Sequence, residues 1–115
     1  MIVNIEQAKD LVESDKEFYL ELTATFFQEY DSMLAEIRSA LASSNAEVLN
    51  RSAHAIKGAL GNLCAIKARE LAFQLEKCGK ENRFQGANEL LTQLEQAVAD
   101  YKKYLNDEIV NGSAW

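Results

Sequence analysis

Apolar residues recur at alternating steps of three and four positions along nearly the whole chain, and this helical period constrains the fold more than any other feature. The sequence contains no proline, and its β-branched residues nowhere form the alternating run that a half-buried strand requires. Each apolar stripe is long enough to let one face of a helix pack against a neighbour. The sequence therefore predicts an all-α chain.

Five helical segments are predicted. The first, Asn4 to Glu13, is short; the second extends from Asp15 to Ala42; the third starts near Ala46; the fourth carries Cys64 and ends at Gly79; the fifth carries Phe84 to Leu105. Four candidate capping pairs mark helix starts: Asn4 with Gln7, Ser14 with Glu17, Ser44 with Glu47, and Asn82 with Gln85. Short links between amphipathic helices favour an antiparallel four-helix bundle with a short N-terminal covering helix. We expect the bundle to occupy residues 1–108 and the tail, residues 109–115, to fray.

Length and charge limit the function. A chain of 115 residues is one domain, and its net charge of -6 argues against nucleic acid or an anionic membrane surface as the main partner. Without an N-terminal leader or a long apolar run, we expect a cytoplasmic protein with no membrane insertion. The two cysteines, Cys64 and Cys78, lie on the predicted inward stripe of the fourth helix, which favours free thiols in a core over a metal site.

His54 is the only histidine in the chain, and the predicted third helix points it away from the core. At about 100° per residue, the apolar stripe of that helix centres roughly 140° from His54. Lys57 and Gly58 lie one turn further along the same face and Gly61 a second turn, and Arg51 lies one turn back. Glycine inside a helix costs about 0.5–1 kcal/mol relative to alanine, so close approach by another molecule is a physical reason to keep it. The cations favour an anionic group on the ring.

The segment His54-Ala-Ile-Lys57-Gly58-Ala-Leu-Gly61-Asn-Leu-Cys64-Ala65 resembles the signature of histidine-containing phosphotransfer (HPt) domains. Histidine, lysine and glycine fall at the family spacing, and residues 71–76 are similar to the family's next helix. Cys64 departs from the pattern, because the family usually has glycine there. The departure concerns the turn between the third and fourth helices.

This resemblance implies that His54 accepts a phosphoryl group from the aspartate of a response-regulator receiver domain and passes it to another receiver. It implies that Lys57 steadies the phosphoryl oxygens and that Gly58 leaves room for docking. From their places on the same helix, Gly61 and Arg51 are expected to join Gly58 in the receiver docking face, with a solvated surface arginine as the alternative for Arg51. No cofactor is expected in this chain; the partner receiver would bring Mg²⁺. The expected partners are receiver domains and a hybrid histidine kinase. The protein itself is expected to be a monomer.

One further residue is predicted to orient the ring. If the third and fourth helices form a hairpin about Ala65, then His54 and Glu76 lie at the same height, 11 residues to either side of it. Glu76 also matches the family position whose Gln or Glu bonds the second ring nitrogen. Gln74 is nearly as close in height and is the second choice.

Three other functions are compatible with a helical chain of this length. A histidine-kinase dimerisation domain would have an acidic residue directly after the histidine and a proline nearby, whereas Ala55 follows His54 here. A hydrolase would need a nucleophile suitably spaced from the histidine or a metal cluster, and this chain has neither. A non-catalytic adaptor that docks a receiver or kinase domain without being phosphorylated keeps the same fold and remains the alternative.

Overall fold

The computed structural model describes all 115 residues, and every regular element in it is helical. The α-helices are α1 (Ile5–Leu11), α2 (Lys16–Ala42), α3 (Ala46–Asn62), α4 (Ile66–Lys80) and α5 (Ala87–Tyr104). α5 continues into a π-helical turn, Leu105–Val110. The all-α prediction is therefore confirmed.

The four longer helices form an antiparallel bundle, and α1 covers one end of it. Two contacts show that α2 and α5 are antiparallel. Tyr19, near the start of α2, bonds to Tyr101, near the end of α5, whereas Arg38, near the end of α2, pairs with Glu95, earlier in α5. α1 buries Ala8 and is flanked by buried Val3 and Val12. The Asn4 amide just before α1 donates to the Cys64 carbonyl over 2.9 Å, which fastens this cover to the turn between α3 and α4.

A single cluster of 27 buried apolar residues fills the bundle, and two tyrosines add a polar link inside it. The Tyr19 hydroxyl donates to the Leu63 carbonyl over 2.7 Å and accepts from the Tyr101 hydroxyl over 2.6 Å. Burial raises the pKa of Tyr19 to about 12 and that of Tyr101 further, so both hydroxyls stay protonated at neutral pH. This pair ties α2 and α5 to the turn that joins α3 and α4.

Only one of the four predicted N-caps is correct. The Asn4 side chain accepts from the Gln7 amide, as predicted, but Asp15 and Asn45 cap α2 and α3 in place of Ser14 and Ser44. The fifth helix starts after Gly86, so Asn82 is not its cap and Phe84 lies outside it. The physical reason is shared: Ser14, Ser44 and Asn82 all have positive φ, a conformation outside the extended region that an N-cap adopts.

The same left-handed conformation accounts for Cys64. Its φ is 56°, and the Ala65 amide donates to the Leu60 carbonyl while the Cys64 amide donates to the Gly61 carbonyl. These two bonds form a Schellman motif, whose left-handed residue is most easily glycine. Cys64 therefore belongs to the turn and not to the fourth helix, which starts at Ile66. Both cysteines are nevertheless free and buried, and burial raises the pKa of the Cys64 thiol.

Gly79 does not end the fourth helix, which continues to Lys80. A Cβ placed on Gly79 would lie 2.4 Å from the Asn50 nitrogen and 2.9 Å from the Ala46 carbonyl oxygen. Glycine is thus required because the backbones of α3 and α4 touch here. The Asn50 side chain seals the contact by donating to the Glu76 carbonyl over 3.1 Å.

The C-terminal segment is packed in the structure, in contrast to the frayed tail predicted for residues 109–115. Ile109 is fully buried, and the Trp115 ring lies 5.0 Å from the Tyr19 ring. The Trp115 indole nitrogen also donates to the Ser14 carbonyl over 3.4 Å. The segment is ordered because it makes apolar contact with the α1–α2 corner. The polar and small residues Asn111, Gly112 and Ser113 gave no indication of this contact in the sequence. None of the helices has the length and apolar character needed to cross a bilayer.

Candidate functional site

His54 lies near the middle of α3 and faces outward. Its side chain is 68% exposed, whereas the neighbouring residues Ala53 and Ile56 are fully buried. The helix therefore presents the ring to solvent because its apolar stripe occupies the opposite face. An exposed imidazole at the centre of a helix is accessible to a second macromolecule without any opening of the fold.

Glu76 of α4 holds one side of the ring. Its Oε2 contacts His54 Nδ1, as expected from a hairpin centred on Ala65. An ionised carboxylate can only accept, so Nδ1 carries a hydrogen; in the neutral ring the lone pair is then on Nε2, which has no hydrogen-bond partner in the chain. Burial opposes ionisation of Glu76, but hydrogen bonds from Lys57 and His54 outweigh it and hold the pKa of the carboxyl group below its usual value.

Lys57 binds the second oxygen of the same carboxylate. Its Nζ lies 2.6 Å from Glu76 Oε1, and the side chain is only 18% exposed. The ammonium also lies 5.1 Å from the centre of the Phe73 ring, within the range of a cation–π interaction. One carboxylate therefore fixes both the imidazole and a cation beside it.

A flat strip follows the histidine along α3. A Cβ on Gly58 would meet no atom within 4 Å, so nothing inside the protein requires glycine there. A Cβ on Gly61 would meet only the flexible side chain of Arg69, at 3.2 Å. Arg69 of α4 and Gln7 of α1 flank a shallow groove over this strip. The strip is open to an approaching surface and has a cation at its far end.

Two predicted residues take no part in the contacts around the ring. Arg51 is exposed on α3 and forms no ion pair, so it is a free cation one turn from His54. Gln74 faces a different groove, beside Cys78 and Gly86, and makes no hydrogen bond to His54. The structure brings Glu76, the first choice, to the histidine. The chain has no group of three or more His, Cys, Asp or Glu side chains arranged to hold a metal ion.

Two residues of the site, Arg69 and Phe73, were not predicted from the sequence. The hairpin register contained a signal for Arg69. Residues 61 and 69 are each four positions from Ala65, so they lie at the same height on the two helices. Phe73 lies three residues before Glu76 on the same face of α4, and 38% of it is exposed. In the sequence, the signal for Phe73 is an aromatic residue outside the apolar stripe of the fourth helix, one turn from Glu76.

Gly58→Gln is expected to weaken docking of a partner roughly tenfold, about 1.4 kcal/mol, while leaving the fold intact. The new side chain would project from the open strip beside His54 and would hold the partner surface away. Binding is measured by titration with a receiver domain, and folding by urea unfolding.

Gly58→Ala is the matched control. It adds a Cβ with no long side chain, and should raise stability by about 0.5–1 kcal/mol because alanine favours the helix. Equal receiver affinity for Gly58→Gln and the wild type would show that the strip is not a contact surface.

Comparison with known proteins identifies the domain family and the fold. The family model of the Hpt domain matches residues 21–104. The fold is similar to the crystal structure of histidine-containing phosphotransfer protein B (HptB) from Pseudomonas aeruginosa PAO1, with a TM-score of 0.85, 24% identity and 96% of each chain covered. No curated protein gave a significant match.

A helical bundle with an exposed histidine, taken together with the family match, describes a histidine-containing phosphotransfer domain. The family match spans most of this chain, and the protein belongs to the Hpt domain family. That membership assigns it to histidine phosphotransfer in phosphorelays.

Proposed function

We propose that the protein is a phosphoryl carrier: His54 takes a phosphoryl group from the aspartyl phosphate of a receiver domain and passes it to the aspartate of another. The observation that carries this proposal is the arrangement of the imidazole, with Nδ1 bound to Glu76, Nε2 without a partner in the chain, and the side chain largely exposed. A receiver domain attached to a hybrid histidine kinase is an equally suitable donor.

The transfer is an in-line displacement at phosphorus. The Nε2 lone pair attacks, an N–P bond forms, and the P–O bond to the donor aspartate breaks, so that its carboxylate leaves. No proton has to move, because Nδ1 keeps its hydrogen and the ring becomes a phosphorylated imidazolium. The reverse displacement, with a second aspartate as nucleophile, delivers the group.

Glu76 is a positioning residue in this scheme. Its carboxylate fixes the reactive tautomer before the reaction and faces the positive charge that develops on the ring during it. Lys57 shares the carboxylate, which keeps its ammonium beside the ring and available to the phosphoryl oxygens. Phosphoryl transfer depends mainly on positioning and charge, and the receiver would supply Mg²⁺ from its own carboxylates.

The test is to incubate the protein with a phosphorylated receiver domain and Mg²⁺, then to locate any label by mass. Phosphohistidine survives base and is lost in acid, whereas aspartyl phosphate is lost in base. Acid-labile, base-stable phosphate on His54 is the expected result. Absence of label with several receivers, with the fold intact by circular dichroism, would contradict the proposal.

Glu76→Ala is expected to slow transfer roughly 10- to 100-fold, since the ring then loses its preferred tautomer and orientation. Glu76→Gln should recover most of the rate, because the carboxamide oxygen still accepts from Nδ1. Single-turnover rates are compared at equal receiver concentration. Equal rates for wild type and Glu76→Ala would remove Glu76 from the mechanism.

A further inference from the structure

Charge is divided unevenly between the two halves of the bundle. Residues 46–83, which comprise α3, α4 and their links, contain seven Lys or Arg and four Asp or Glu, a net charge of +3. The rest of the chain contains five Lys or Arg and 14 Asp or Glu, a net charge of -9. The hairpin that presents His54 is thus a cationic segment of an anionic protein.

Most cations of this hairpin are unpaired within the chain. Lys57 binds Glu76 and Arg83 binds Glu81, whereas the other five form no ion pair: Arg51, Lys67, Arg69, Lys77 and Lys80. Unpaired charges on the surface of one hairpin attract an oppositely charged surface and steer its approach.

A second groove lies on the other side of the histidine from the glycine strip. Its lining includes Asn50, Phe73, Glu76, Lys77 and Lys80. Phe73 is exposed between two ammonium groups, with Lys57 Nζ at 5.1 Å and Lys77 Nζ at 5.5 Å from its ring centre. The remaining acidic residue of the groove, Glu81, is paired with Arg83 at 3.3 Å. The groove therefore offers two free cations and an aromatic face.

We propose that this groove is a second contact site for the phosphorylated receiver and that it takes a carboxylate-bearing segment of that partner. The inference rests on the proposed function. A receiver that holds Mg²⁺ beside an aspartyl phosphate needs further carboxylates, so its reacting face is anionic. Lys77 and Lys80 pair with acidic side chains of the segment, and Phe73 covers its apolar part. Glu76 joins the groove to the reacting histidine.

Lys77→Glu/Lys80→Glu is the test, with Lys16→Glu/Lys102→Glu as the matched control. Both double variants lower the net charge by the same amount, but Lys16 and Lys102 lie on α2 and α5, outside the cationic hairpin. Phosphotransfer from a receiver domain that labels His54 of the wild type is measured as kcat/KM at low salt. We expect roughly tenfold loss in the first variant and much less in the control.

Two further measurements, of KM and of the salt dependence, distinguish binding from chemistry. The loss should lie mostly in KM, since the groove binds the partner and does not touch the phosphoryl group. It should also shrink as salt is added, because exposed charge pairs are screened. Equal kcat/KM values for the two double variants would overturn this inference while leaving the proposed function standing. A wild-type protein that accepts no phosphoryl group would overturn both.

Discussion

His54→Gln is expected to take up no phosphoryl group from any phosphorylated receiver while remaining as stable as the wild type. Glutamine has no nucleophilic nitrogen, since its amide lone pair is delocalised, so the N–P bond cannot form. The position is exposed, and glutamine favours a helix slightly more than histidine does. The measurement is transfer of radiolabelled phosphate, with urea unfolding to compare stability.

The same variant separates the carrier from the adaptor. A carrier loses its signalling output with His54→Gln but still binds receivers, because the glycine strip and the cations beside it are unchanged. Label retained in the variant would mean that another residue accepts the group. If wild type and His54→Gln were equally unlabelled and equally active in signalling, the protein would be a docking adaptor.

Gly79→Ala is expected to lower the free energy of unfolding by about 3 kcal/mol, the upper part of the range for overpacked sites. The added methyl group would meet the Asn50 nitrogen and the Ala46 carbonyl, which are backbone atoms and cannot rotate away. Relief requires α3 and α4 to move apart, which would also disturb the contact between His54 and Glu76. Urea unfolding midpoints give the change in stability.

Gly58→Ala serves here as the internal reference, because the same substitution on the same pair of helices meets open space. The two variants should shift stability in opposite directions. A Gly79→Ala variant as stable as Gly58→Ala would mean that the two helices have room to separate without loss.

The sequence predicted the helices well because their apolar stripes are a local property. It predicted their ends poorly. Ser44 and Asn82 match the composition of an N-cap, yet the chain uses them as left-handed residues that close the preceding helix. Which role a polar residue takes depends on where the next helix packs. The need for glycine at position 79 was likewise not predictable from local sequence, because it comes from contact with the backbone of a helix nearly 30 residues away.

The centre of the candidate site was predictable for a specific reason. A two-helix hairpin has one register, so Ala65 as its midpoint was sufficient to place Glu76 opposite His54. The two free lysines of the Phe73 groove gave no such signal. The pairing of charges is decided by side-chain geometry, which the spacing of residues along the chain does not determine.

The position of His54, Lys57 and Glu76 within one hairpin has a consequence for how the molecule folds. The three residues lie within 23 consecutive positions, and a three-residue turn joins their helices. Contacts so close along the chain require little loop-closure entropy and form rapidly. The reactive geometry is therefore set by the most local part of the topology. Substitutions in α1, α2 or α5 should therefore change the lifetime of the native state more than they change the contacts of His54.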